Sequence, residues 1–216
     1  MHIADGWDVA HLVMHTAFDE LGLAGRHAQV GPIDPDAIDP IQCFHVGGRV
    51  DLAQGTSRRH LVKAVTLYQA GMESTISYWI SRHSGLSTAG GFVERWDNVC
   101  GAKGCAPGLG DYAIFYREIR NAIVHPDTDA RVRTIQTLRV KRVHEGIADG
   151  WSALQRLASA LGEPHDADSW KIMCEAHGVP LQCSDELYPD LLDLRARLYK
   201  RHLDHLNAGL VGGDAA

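Results

Sequence analysis

Three polar side chains near the middle of the chain have the types and the spacing for phosphate chemistry. They are Arg120, Asn121 and His125, in the stretch REIRNAIVHPD. An arginine offers a bidentate fork to a phosphate and stabilises the charge that its oxygens gain in a transition state. A histidine titrates near neutral pH and can move the proton of a hydroxyl. The set suits metal-independent cleavage of RNA, because RNA supplies its own nucleophile, the 2′-hydroxyl.

The same residues allow a purely structural interpretation, which the spacing alone favours. Arg120 would pair with an acid that the fold brings close, such as Asp127 or Glu73, and His125 would cap a helix end, where the macrodipole favours a cation. In the functional interpretation, Glu73 reaches the site and orients Arg120. Tyr116 would then stack on a base, although its place in an apolar stripe favours core packing.

A predicted helix over 111–125 must position these residues. It ends near His125, because the residue before Pro126 is pushed out of the α region. At roughly 100° per residue, Asn121 and His125 lie about 40° apart on the helix surface. Arg120 lies on the flank of the apolar stripe, towards whatever packs on the helix.

The rest of the chain predicts an all-α protein, a bundle of five to six helices. Apolar residues recur at intervals of three and four over further stretches, at 7–23, 57–83, 131–162, 167–177 and 189–207. Three prolines predict a loop at 31–42. Gly47 and Gly48 lie between short β-prone runs, which indicates a small β-hairpin near 43–52.

The length of 216 residues favours one domain, in which three segments can be distinguished. Residues 1–56 hold an N-terminal helix, the proline-rich loop and the hairpin. Residues 57–162 form the helical core that carries the arginine and the histidine. Residues 163–216 form a C-terminal helical extension.

The charge balance excludes a protein that coats nucleic acid with its whole surface. The chain has 21 basic and 27 acidic residues, a net charge of −6. A local basic run remains, with no acid between residues 131 and 144. Its members are the candidate RNA-binding residues, Arg131, Arg133, Arg139, Lys141 and Arg142. A solvated helix face is the competing interpretation.

No combination of side chains in the sequence predicts a metal or a cofactor. His11 and His15 have the i, i+4 spacing of a metal pair, but no third ligand is evident, and a partly buried polar edge is the simpler interpretation. Five cysteines without a dense pattern are expected to be reduced thiols. No apolar run approaches a membrane span and no secretory signal is evident, so we expect a cytoplasmic protein without a membrane partner.

The stretch REIRNAIVHPD resembles the signature of the HEPN superfamily, an arginine, a polar residue, three more residues and a histidine. The matching residues are Arg120, Asn121 and His125, with a turn following at Pro126. The apolar positions between them and the aromatic lead-in match as well. The predicted helices on either side are similar to the family's helical bundle, so the resemblance covers about 57–162.

This resemblance implies an HEPN-like bundle that forms a homodimer, with two motifs meeting at a cleft between protomers. Many members are metal-independent endoribonucleases of toxin–antitoxin, phage-defence or RNA-processing systems. It implies catalytic roles for Arg120 and His125, a positioning role for Asn121, and RNA and a cognate antitoxin or regulatory protein as partners. Some members have lost the activity, so the alternative is a catalytically silent module that binds nucleotide, RNA or a protein.

Overall fold

The computed structural model describes residues 3–87, 89–105 and 108–212, and every regular element among them is helical. Eight helices follow one another, so the all-α prediction is confirmed with more helices than the five or six expected. Their bounds are α1 Ile3–Ala28, α2 Pro40–Arg82, α3 Phe92–Lys103, α4 with its consecutive segments Tyr112–Phe115, Tyr116–Arg120 and Asn121–Val124, α5 Asp129–Gln136, α6 Val140–Leu161, α7 Ser169–His177 and α8 Leu191–Gly212. A short 3₁₀ turn at Pro35–Ala37 precedes α2.

The predicted β-hairpin near 43–52 is wrong, because these residues lie inside α2. The buried positions of this stretch, Cys43, Gly47, Val50 and Gln54, recur at three and four, which is a helical period. Gly47 is required for close packing and not for a turn, since a Cβ there would lie 3.1 Å from a ring carbon of Tyr199 on α8. A helix of 43 residues, about 65 Å long, therefore runs through the molecule.

The N-terminus of α2 lies inside the predicted proline-rich loop and is fixed by a side-chain cap. The Asp39 carboxylate accepts a hydrogen bond from the Ile41 N–H at 2.8 Å, and Pro40 occupies the first helical position. Proline is well tolerated there because its missing N–H would have no helical partner. The helix expected at 57–83 therefore begins 17 residues earlier and crosses 56–57 without a break.

The helix expected over 131–162 is two helices, α5 and α6. The Thr137 hydroxyl donates to the Arg133 carbonyl at 2.9 Å and closes α5. Arg139 then takes an extended backbone conformation, φ −120° and ψ 150°, before α6 begins. Leu138 lies in the connection between the two helices, and its side chain is buried. The chain therefore turns at this point so that Leu138 reaches the core.

One hydrophobic core draws residues from α1, α2, α3, α4, α6, α7 and α8, whereas α5 buries none of its residues. Packing between α4 and α6 depends on two glycines one helical turn apart. A Cβ at Gly146 would overlap the ring of Phe115, and one at Gly150 would lie 2.8 Å from a ring carbon of Tyr112. The bare surface of α6 thus brings α4 into direct contact, and it holds the helix that carries Arg120.

None of the helices within the described residues combines the length and the apolar character that a membrane crossing requires.

Candidate functional site

The backbone of α4 widens at the residues of interest. The Asn121 N–H donates to the carbonyl of Tyr116, five residues back, which makes Tyr116–Arg120 a π-helical turn. Such single turns occur frequently at functional sites. The wider turn changes the phase of the helix, so the angles expected from a regular α-helix do not apply between Tyr116 and Asn121.

Three groups hold the guanidinium of Arg120. Its Nη1 donates to the side-chain carbonyl of Asn121 at 3.2 Å, and its Nη2 lies 3.6 Å from the Glu73 carboxylate on α2. The ring of Tyr116 lies 5.0 Å from the Arg120 Cζ, within the range of a cation–π contact. The Nε of Arg120 is buried and has no hydrogen-bond partner among the described residues. The side chain is 20% exposed, so its position is fixed while one side stays open to solvent.

A chain of hydrogen bonds ties Glu73 to the core. The Tyr112 hydroxyl donates to the Gln69 carbonyl oxygen at 2.7 Å, and the Gln69 amide donates to Glu73 at 2.9 Å. Burial raises the pKa of Tyr112 well above its ordinary value, so the phenol keeps its proton and remains a donor. Glu73 is therefore oriented from the interior, and Arg120 is oriented by Glu73 in turn.

His125 lies at the end of α4 with an exposed side chain. Its backbone is fixed, because its N–H donates to the Asn121 carbonyl and its own carbonyl accepts from the Asp127 N–H at 2.8 Å and from Arg131 at 3.1 Å. Within the part of the chain that the structure describes, no hydrogen bond joins the side chains of Arg120 and His125. A single chain therefore presents the two groups without joining them.

The predicted RNA-binding residues are largely paired with acids. Four of the five form ion pairs, Arg131 with Asp127, Arg139 with Asp190, Lys141 with Asp185 and Arg142 with Glu118. Arg133 is exposed and has no ion pair among the described residues. The hydrogen bond from Arg131 lowers the pKa of the Asp127 carboxyl, so this acid stays charged and keeps its partner neutralised. The basic run of the sequence is not a free positive surface.

No group of three or more His, Cys, Asp or Glu residues in the described ranges is arranged to hold a metal ion. The five cysteines are all free thiols, and the two that follow each other most closely, Cys100 and Cys105, are buried. Burial raises the pKa of Cys100 to about 12, so this thiol is protonated near neutral pH.

Several residues of the site escape sequence reasoning. Gln69 has an i, i+4 relation to Glu73, but only the fold shows that it also meets Tyr112. Gly146 and Gly150 have the spacing of two small residues on one helix face, which signals close packing without naming the partner. The π-helical turn has no local signal at all in the stretch YREIR.

Comparisons with known proteins leave these residues as the sole basis for a functional argument: the chain matches no family model, no curated protein and no solved structure.

Proposed function

We propose that the protein is a metal-independent endoribonuclease of HEPN type that acts on RNA in the cytoplasm, in a toxin–antitoxin or phage-defence setting. The observation that carries the proposal is the set of contacts that hold the guanidinium of Arg120. Asn121, Glu73 and Tyr116 hold its guanidinium at a widened turn of α4, while the side chain stays 20% exposed. A guanidinium that is held in place and still open to solvent is suited to meet a phosphate.

The reaction uses groups that the chain and the RNA supply. His125 takes the proton of the 2′-hydroxyl, and the 2′-oxygen attacks the adjacent phosphorus. The guanidinium of Arg120 stabilises the charge that develops on the phosphate oxygens. His125 then gives this proton to the 5′-oxygen as the bond between phosphorus and that oxygen breaks, and a 2′,3′-cyclic phosphate remains. Asn121 positions Arg120 through the hydrogen bond between their side chains.

The proposal includes a homodimer, because one chain does not join Arg120 to His125. Two exposed apolar side chains, Val124 and Val132, lie on either side of His125 in the sequence and are 42% and 37% exposed. Burying them against a second copy would bring two α4 termini together and enclose the cleft. The proposal also includes a cognate antitoxin or regulatory protein as a partner.

A second candidate function is a catalytically silent module that binds nucleotide, RNA or a protein partner. Two observations favour it. The charge of Arg120 is already compensated by Glu73, and acids neutralise four members of the basic run. A binding module needs no free proton acceptor, so this candidate gives no role to the exposed ring of His125.

Cleavage of total cellular RNA in the presence of EDTA separates the two candidates. Wild type is compared with Arg120→Ala and His125→Ala, and the products are examined for 2′,3′-cyclic phosphate ends. Arg117→Ala and His205→Ala are matched controls, because both residues are exposed and lie outside the contacts of the site. We expect wild type and both controls to cleave, and both site variants to lose at least about 100-fold in rate.

Equal cleavage by wild type and the site variants would overturn the catalytic assignment. A wild type that is inert on every class of RNA, while still binding it, would favour the silent module.

A further inference from the structure

A cavity of about 460 Å³ lies between α1, α2, α6 and α7, and none of its lining residues belongs to α4 or α5. Its walls are mostly apolar and include two tryptophans. The main apolar contributors are Met14, Trp79, Trp151, Leu154, Ala158 and Met173. The volume falls within the range of about 300–1,000 Å³ that is usual for small-molecule sites. The cavity is therefore large enough for a ligand and separate from the proposed nuclease site.

The polar end of the cavity is formed by two histidines of α1. The Nε2 atoms of His11 and His15 lie 3.2 Å apart, and both rings line the cavity. The other nitrogen of His15, Nδ1, lies 2.8 Å from Nε2 of His177 on α7. The Nδ1 of His177 lies 2.6 Å from an oxygen of Asp19. Three imidazoles and one carboxylate thus form a continuous chain of hydrogen bonds.

The carboxylate fixes the direction of this chain. Because the Asp19 carboxylate only accepts, Nδ1 of His177 donates to it, and its Nε2 then accepts from His15. Nε2 of His15 is left as an acceptor for the Nε2–H of His11. With all three rings neutral, every hydrogen bond in the chain is satisfied, and Nδ1 of His11 remains as its unprotonated end.

Neither His11 nor His15 has a carboxylate as its own hydrogen-bond partner among the described residues. Burial lowers the pKa of His15, and so do the neighbouring rings of His11 and His177, whereas Asp19 acts in the opposite direction. The other titratable residues of the lining are His165 and Asp166, from the loop between α6 and α7. Asp166 is already engaged, because its carboxylate accepts from the Asp168 N–H at 2.8 Å.

We propose that this cavity binds a small monocarboxylic acid with an apolar body. The carboxylate accepts a hydrogen bond from Nδ1 of His11, the end of the histidine chain, and the apolar body packs between Trp79 and Trp151. Binding takes up one proton from solvent onto the histidine pair, because the carboxylate supplies the counter-charge that the pair lacks. A cationic ligand would find one acid in the lining, Asp166, whose carboxylate already accepts a backbone hydrogen bond.

Calorimetric titration tests the proposal with three compounds of equal chain length, octanoate, octanol and octylamine. Octanoate is titrated at neutral pH in two buffers that differ in ionisation enthalpy, so that the difference in heat reports the protons taken up. We expect saturable binding of octanoate with uptake of about one proton, at least about tenfold tighter than octanol, and no binding of octylamine.

Two variants locate the site. His11→Ala removes an exposed end of the chain without touching the core, and we expect it to abolish proton uptake and the preference for octanoate over octanol. His205→Ala, an exposed histidine of α8, serves as its control and should behave as wild type. Ala158→Leu fills the cavity from α6 and should weaken all binding, with circular dichroism confirming that the helices remain.

The absence of a saturable heat for octanoate would overturn the proposal. Equal affinity for octanoate and octanol would refute the acid specificity, and so would octanoate binding with unchanged proton uptake in His11→Ala. Tighter binding of octylamine would assign the site to a cation. These outcomes are independent of RNA cleavage.

Discussion

Arg120 and Glu73 form the ion pair on which the proposed chemistry depends. Glu73 compensates the positive charge of Arg120 and also orients its guanidinium. A single contact of 3.6 Å between the two side chains serves both purposes. The side chains are 20% and 35% exposed, so water screens part of the attraction. The pair therefore restrains the position of Arg120 more than it contributes to stability.

Glu73→Gln separates positioning from charge. The amide keeps an acceptor for Gln69 but removes the compensating charge, so Arg120 becomes freer and more positive. We expect KM for RNA to fall because Arg120 is more positive, but by less than about fivefold, since such a pair is worth about 1 kcal/mol or less. We expect kcat to fall as well, because the guanidinium is less well oriented. Steady-state kinetics on a short RNA measure both. Glu175→Gln, which removes an exposed glutamate of α7 paired with Lys171, is the control, and a fall in kcat alone or in neither constant would contradict the assignment.

His144 makes the stability of the fold depend on pH. Its Nε2–H donates to the Pro180 carbonyl at 2.7 Å, and burial lowers the pKa of the ring. A lowered pKa in the folded state means that the unfolded chain binds the proton more readily. The contribution of His144 to stability is therefore present above about pH 6.5, the ordinary histidine value, and is lost as the pH falls below it.

His144→Gln should weaken this pH dependence, because the amide can still donate to Pro180 but does not titrate. Urea unfolding at about pH 7.5 and about pH 5.5, on either side of the unfolded pKa, measures the free energy of unfolding. We expect wild type to lose more stability at the lower pH than the variant, with His15 supplying the remainder. His205→Gln is the control; an equal loss in wild type and His144→Gln would refute the prediction.

At the scale of elements, the contact between α4 and α6 places the site. A side chain at Gly146 would overlap the Phe115 ring, and α4 would have to move away from α6. We expect Gly146→Ala to reduce the free energy of unfolding by about 1–3 kcal/mol, the usual range for overpacking. Activity should fall with it, because Arg120 moves with α4.

Gly48→Ala is the matched control for this substitution. Gly48 lies on the exposed side of α2 with nothing within 4 Å of its missing Cβ. Alanine there should stabilise the helix by about 0.5–1 kcal/mol. Denaturant unfolding of both variants gives the two values, and a neutral or stabilising Gly146→Ala would show that α4 does not depend on this contact.

Helical periodicity predicted most of α1 and α2, together with α4, α7 and α8, but it did not predict α3. It failed at Gly47, because a glycine carries no periodic signal and the residue that packs against it, Tyr199, lies in a helix far along the chain. It also joined α5 to α6, since the turn at Leu138 depends on burial of one side chain in the core. A local sequence pattern contains no information on either the packing of Tyr199 against Gly47 or the burial of Leu138 in the core.

The site was predictable only as a set of residue types. Arg120, Asn121 and His125 stand out by spacing, and Glu73 was named as a possible partner of Arg120 in both interpretations. The ion pair with Glu73 depends on where α2 crosses α4, whereas the cation–π contact with Tyr116 forms within the π-helical turn of α4. The pairing of the basic run with Asp185 and Asp190 depends on the chain that follows α7, which no spacing within 131–144 reveals.

For the whole molecule, the neutralised basic run predicts a weak dependence of RNA binding on salt. Each phosphate contact of a free cation contributes about −0.7 to the slope of log affinity against log salt concentration for single strands. With four of five residues paired, we expect a slope shallower than about −2. Fluorescence anisotropy of a labelled single-stranded RNA, in the His125→Ala background, measures the slope.

Removing the acids should steepen this dependence. Glu118→Gln and Asp190→Asn free Arg142 and Arg139, respectively, and each should make the slope more negative by about 0.7 if the residue meets a phosphate. Glu175→Gln, whose partner Lys171 is on α7, is the control. A steep slope in the unaltered chain would show that RNA displaces the acids by itself.

The covering of α2 by α8 has a consequence for biosynthesis. The N-terminal half of α2 packs against a helix encoded about 150 residues later, through Gly47 with Tyr199 and Asp51 with Arg195. At about 5–20 residues per second, a ribosome needs on the order of ten seconds to make the intervening chain. Throughout that interval the nascent polypeptide displays the face of Cys43, Gly47 and Val50 uncovered, a surface suited to capture by a chaperone.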